Sequence, residues 1–136
     1  MVANWSSVRL IVLAIALALA GEMARAGAHE TSISEAALLP RFCWKQYMGP
    51  KFSGPGYYIP VDTCGRITNH YCPGLVYLNR AMRTIGNEGQ RRADLLVAKD
   101  ATLYTLRGIK GYPNCQIRAH VETTLRIIDN ELKALH

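Results

Sequence analysis

The most regular run of apolar positions lies between residues 115 and 135, where Ile117, Val121, Leu125, Ile128 and Leu132 recur at steps of three or four. That spacing draws one apolar stripe along an α-helix and leaves His120, Arg126 and Lys133 off it. A second helix is predicted over Asn69–Ile85, with Asn69 as N-cap and Cys72, Leu75, Leu78, Met82 and Ile85 on one face. Pro73 is tolerated there because it falls in the first turn. A third helix is expected from Glu88 to Arg107, with Ala93, Leu96, Leu103 and Leu106 near one stripe, Leu95 and Tyr104 flanking it, and Gly108 as its stop. Closer to the start, Ser32 and Glu35 have capping-box spacing ahead of an Ala-Leu run. Pro40 then restarts the chain into Arg41–Tyr47, where Phe42, Trp44 and Tyr47 are bulky packers.

Between these elements, Gly49–Arg66 holds four Gly and three Pro in 18 residues. It reads as a long loop without regular structure, and such a loop in a small domain is functional, stapled, or both. Period-two alternation persists nowhere. The expected fold is therefore all-α: a small bundle of about four helices in antiparallel hairpins, with one long disulfide-stapled loop.

Residues 1–28 read differently. A weakly positive start with Arg9 precedes the eleven-residue apolar run Leu10–Ala20, and small residues follow. These are the parts of a secretory signal peptide, cleaved after Ala26 or Ala28. The run is shorter than the roughly 18–20 residues of a membrane helix, so no integral membrane segment is expected after cleavage. The remaining chain, residues 29–136, reads as one domain of roughly 110 residues in the periplasm or outside the cell. The full sequence has a formal net charge of +6. Without the signal, 14 basic residues face 9 acidic ones. The basic residues are dispersed, and no run exceeds Arg91-Arg92, so a solvated basic surface is expected rather than a nucleic-acid site.

Cys43, Cys64, Cys72 and Cys115 all follow the signal. In a short exported domain they imply two bridges, with three connectivities open. None belongs to a CxxC or CxxCH motif, which disfavours thioredoxin-type chemistry and covalent haem. Two residues are candidate metal ligands. Cleavage after Ala28 exposes His29, whose amine and imidazole together suit copper, and cleavage after Ala26 yields Gly27-Ala28-His29, a set suited to square-planar copper or nickel. His70 stands two residues from Cys72, but residues two apart on a helix do not share a face. No nucleophile-and-base motif nominates an enzyme. Tyr57, Tyr58 and His70 are the candidate partner-binding residues, because loops carry binding more often than helix faces do.

The segment Asn69-His70-Tyr71-Cys72-Pro73-Gly74-Leu75, followed by Leu78-Asn79-Arg80-Ala81, resembles the N-terminal HYC-x-GL module of exported proteobacterial proteins that carry tetratricopeptide repeats. Leu39-Pro40-Arg41-Phe42-Cys43 and Tyr104-Thr105-Leu106 match the flanking parts of that module, so the resemblance covers roughly 39–106. No repeat of about 34 residues is visible, which limits the likeness to one or two helical hairpins of that type. The resemblance implies pairing of Cys43 with Cys72, which leaves Cys64 for Cys115. The function expected is that of an exported helical adaptor or assembly protein acting by protein–protein contact. The alternative is a periplasmic copper or redox accessory protein using His29 or His70.

Overall fold

The computed structural model describes residues 30–135. Residues 1–28, read above as a signal peptide, and His29 and His136 lie outside them. The described residues form six α-helices joined by 3-10 turns: α1 (Ile33–Ala37), α2 (Trp44–Met48), α3 (Val61–Cys64), α4 (Tyr71–Arg83), α5 (Glu88–Gly108) and α6 (Arg118–Ala134). Among the described residues there is no strand, and no helix is long and apolar enough to cross a membrane.

The centre of the fold is α5, which packs against α4 on one side and α6 on the other. A short turn at Gly86 reverses the chain between α4 and α5, and the Asn87 side chain caps α5 by accepting from Gln90 N at 2.9 Å. The links Arg91–Glu131 and Lys99–Asp129 (2.7 Å) tie α5 to the C-terminal half of α6. The core they enclose is built around Leu75, Leu95, Ala98, Ile109, Ile117, Val121 and Ile128.

Of the stripe predicted for α6, Ile117, Val121 and Ile128 are buried and Thr124 joins them, while Leu125 and Leu132 are half-buried. On α5 the expected stripe is displaced by about one residue. Asp94, Leu95, Ala98, Thr102 and Thr105 are buried, whereas Leu96 is 46 % exposed. The cause is close packing of small residues. A Cβ added to Gly74 of α4 would lie 2.8 Å from the Cβ of Ala101, so the two helices touch where neither carries a long side chain. Threonines fit that interface because Thr102 donates its hydroxyl to Ala98 O (2.7 Å) and Thr105 to Ala101 O (2.9 Å). The polar atom is satisfied within the helix, and the residue packs as a small β-branched side chain.

On α4, Cys72, Leu75 and Leu78 are buried as predicted, but Met82 in the last turn is exposed, and the helix ends at Arg83, leaving Ile85 95 % exposed. Asn69 does not cap this helix. A 3-10 turn over Arg66–His70 runs directly into α4 without a side-chain cap. The Gly/Pro-rich segment is also more ordered than its composition predicts. Pro50 opens a 3-10 turn, and Pro60, with φ near the value its ring imposes, precedes α3.

The predicted capping box is present at α1. Ser32 Oγ accepts from Glu35 N, and Ser32 N donates to a Glu35 carboxylate oxygen at 2.9 Å. Glu35 has a second role that spacing could not reveal. Arg80 of α4 reaches both of its oxygens, at 2.6 and 3.2 Å, and so docks the small N-terminal helix on the bundle. Those hydrogen bonds, with the one from the Ser32 backbone, lower the Glu35 pKa from an ordinary 4.5 to about 2.

Two outcomes are expected. Gly74→Ala should lower stability by about 1–3 kcal/mol in denaturant unfolding, because α4 and α5 must part. Adding Ala101→Gly should recover part of that loss, whereas an additive pair would show that the two positions do not touch. Glu35→Gln should cost about 1–2 kcal/mol at pH 7. The carboxylate stabilises the fold fully above pH 4.5 and loses that effect as pH falls toward 2, so the two proteins should converge in acid. A gap that stays constant down to pH 2 would exclude the ion pair as its cause.

Candidate functional site

The structure bonds Cys43 to Cys72 and Cys64 to Cys115. The first bridge fastens the segment leading into α2 to the first turn of α4. The second fastens the end of α3 to the turn before α6. Beside the first bridge lies an open groove of about 320 Å³.

Three stretches of chain contribute to the groove. Phe42, Lys45 and Gln46 come from α2 and the turn before it, Tyr58, Ile59 and Val61 from the second half of the Gly/Pro-rich segment, and Arg66, Thr68 and Asn69 from the 3-10 turn. Cys72, half of a bridge, also lines it. Local bonds hold each stretch. Gln46 Nε2 donates to Asn69 O at 3.3 Å and joins two of them. Lys45 N donates to Tyr57 O at 3.0 Å and pins the loop to α2. Thr68 donates its hydroxyl to Gly65 O at 3.0 Å. Gly65 itself has φ +79° and lies against the Tyr112 ring, so a side chain there would meet both backbone strain and a clash.

The adjacent tyrosines part company. Tyr57 turns inward, 5.9 Å from Trp44 and 5.4 Å from Phe52 between ring centroids, and Arg41 donates to its hydroxyl at 2.5 Å. Trp44 is fixed in turn by donating to Leu39 O at 3.0 Å. Tyr58 turns outward onto the groove, with the Lys45 ammonium 4.7 Å from its ring centroid. His70 is on neither surface. Its ring lies edge-on to Tyr104 of α5 at 4.7 Å. Of the three residues expected to contact a partner, Tyr58 alone lines the groove. Of the two candidate copper ligands, His29 lies outside the described residues. The Cys72 sulfur near His70 is taken up by its bridge, and the described residues contain no group of three His, Cys, Asp or Glu side chains arranged to hold a metal.

Lys45 and Arg66 are the residues that sequence reasoning missed. They belong to different elements and share no spacing signal. A second cluster also escaped it. The hydroxyl of the buried Tyr71 lies 2.5 Å from His120 Nδ1 and 2.8 Å from Thr124 Oγ1, with Phe42 edge-on to the histidine at 5.4 Å. Burial raises the Tyr71 pKa above its ordinary value and lowers that of His120. Both shifts favour the neutral forms of the two side chains. The cluster joins α4 to α6, with Phe42 stacked on Tyr71 and edge-on to His120.

Compared with family models, with curated proteins and with solved structures, the chain matches none.

Replacing both Cys64 and Cys115 by Ser should lower stability by about 2–5 kcal/mol. It should also accelerate amide hydrogen exchange over residues 57–66 more than within α5. Unchanged exchange over 57–66 would show that this bridge does not hold the groove wall.

Proposed function

We propose that this chain is a small exported helical adaptor or assembly protein that works by protein–protein contact, with the groove beside α2 as its contact surface. The observation that carries this reading is the construction of the groove: three stretches of chain, lined by one half of the Cys43–Cys72 bridge and with Arg66 two residues from the bridged Cys64, present Tyr58, Lys45 and Arg66 together. A surface held this rigidly loses little conformational entropy on binding, which favours recognition. Aromatic and guanidinium groups on a loop fastened to a helical scaffold are the residue types that dominate protein interfaces. Export is supported by the apolar leader pattern and by two bridges of a kind that persists in oxidising compartments. The likeness to the HYC-x-GL module of exported repeat proteins is consistent with export, although the repeats themselves have no counterpart in this chain.

A photo-crosslinking amino acid at position 58 should trap a discrete protein in the native host. The same group at Arg126, on the exposed side of α6, should trap none. Equal trapping at both positions, or none at 58, would remove the groove as the contact surface.

A further inference from the structure

We infer that the groove takes an acidic segment of a protein partner, with a carboxylate held between Lys45 and Arg66 and an apolar side chain against Tyr58 and Ile59. This rests on the adaptor reading above and assigns its partner a chemistry.

The argument begins with charge. The groove has two cationic side chains and, among the described residues, no carboxylate on its lining. The ion pairs among the described residues are Glu35–Arg80, Arg91–Glu131 and Lys99–Asp129, so neither Lys45 nor Arg66 has an acidic partner there. A concave site lined by one sign of charge over apolar walls concentrates its field and selects ions of the opposite sign. Lys45 is also partly positioned before any ligand arrives, by its contact with the Tyr58 ring.

Shape and polar groups favour a peptide over other anions. A volume of about 320 Å³ suits a few side chains, and the groove is open along its length rather than closed around one small ion. The walls carry two amides. Gln46 spends one donor on Asn69 O, and the Asn69 side chain has no partner among the described residues. Such groups match the alternating donors and acceptors of an extended main chain. Ile59 and Val61 add apolar surface that a bare phosphate would not use. An anionic membrane meets flat or convex basic surfaces best, whereas these cations line a concavity.

The test uses fluorescence anisotropy with a short fluorescein-labelled peptide of alternating glutamate and leucine, and a counterpart in which glutamine replaces glutamate. The glutamate peptide should bind in a salt-sensitive manner, and the glutamine peptide about tenfold or more weakly. The variant Lys45→Glu/Arg66→Glu should lose the glutamate peptide and gain affinity for a lysine–leucine peptide. The equally charged variant Arg126→Glu/Lys133→Glu, placed on α6, should stay within about threefold of the parent. Circular dichroism should show all variants folded, since these four side chains are exposed.

Equal losses in the two double variants would overturn the inference, because diffuse charge would then suffice. So would equal binding of the glutamate and glutamine peptides. Groove-dependent binding to phosphatidylcholine vesicles containing phosphatidylglycerol, without peptide binding, would overturn it in favour of a lipid surface. Trapping at position 58 that survives any of these results would leave the adaptor reading standing and the acidic partner excluded.

Discussion

Two covalent cross-links set the terms for everything else in this fold. The first third of the described chain, through α3, is a series of helices of four or five residues and 3-10 turns, too short to be stable through their own hydrogen bonds. What keeps them in place is the tie from Cys43 to Cys72, across 29 residues, and from Cys64 to Cys115, across 51. On chain-entropy grounds each such closure stabilises by roughly 3–5 kcal/mol. Typical net stabilities are about 5–15 kcal/mol, so neither bridge is a minor term. All four sulfurs are buried, and Cys43 and Cys72 pack with Leu75 and Tyr71 in the same core. The bridges are thus part of the hydrophobic packing as well as restraints on the unfolded chain.

The division of labour follows from this. The α4–α5–α6 part supports itself by ordinary helix packing, through a close Gly74–Ala101 contact and buried threonines that satisfy their own hydroxyls. The N-terminal part is mounted on it by the Cys43–Cys72 bridge, by the Glu35–Arg80 pair and by the contacts of Phe42 with Tyr71 and His120. A groove formed where a mounted segment meets its support has walls from distant parts of the chain and little freedom to collapse.

The legible parts of this architecture were those written in short-range pattern. The all-α class, the capping box at Ser32, the stripe of α6 and the extent of α5 all follow from spacing within a few residues. The buried face of α5 does not follow apolarity, because there the tightest interface selects small residues instead. Leu96 is left outside and Thr102 inside. Ile85 was misread for a different reason, since the chain reverses just past the end of α4 and carries it away from the helical face. Nor could spacing choose among the three ways of pairing four cysteines, because that choice depends on which turns the helices bring together.

The groove lies at the far end of this scale. Lys45 and Arg66 are separated by the whole Gly/Pro-rich segment, and nothing in either neighbourhood marks them as a pair. Their meeting depends on the aromatic cluster of Trp44, Phe52 and Tyr57, which folds that segment back over α2. The same cluster explains why adjacent tyrosines differ in fate. Tyr57 is drawn into the cluster, and the chain bends through both tyrosines, so that Tyr58 lies on the groove beside the Lys45 ammonium. The Gly and Pro residues that make the segment look structureless are what allow it to double back within so few residues. A composition that reads as disorder is, in this setting, the means by which one ring is packed into a half-buried cluster and the next is presented.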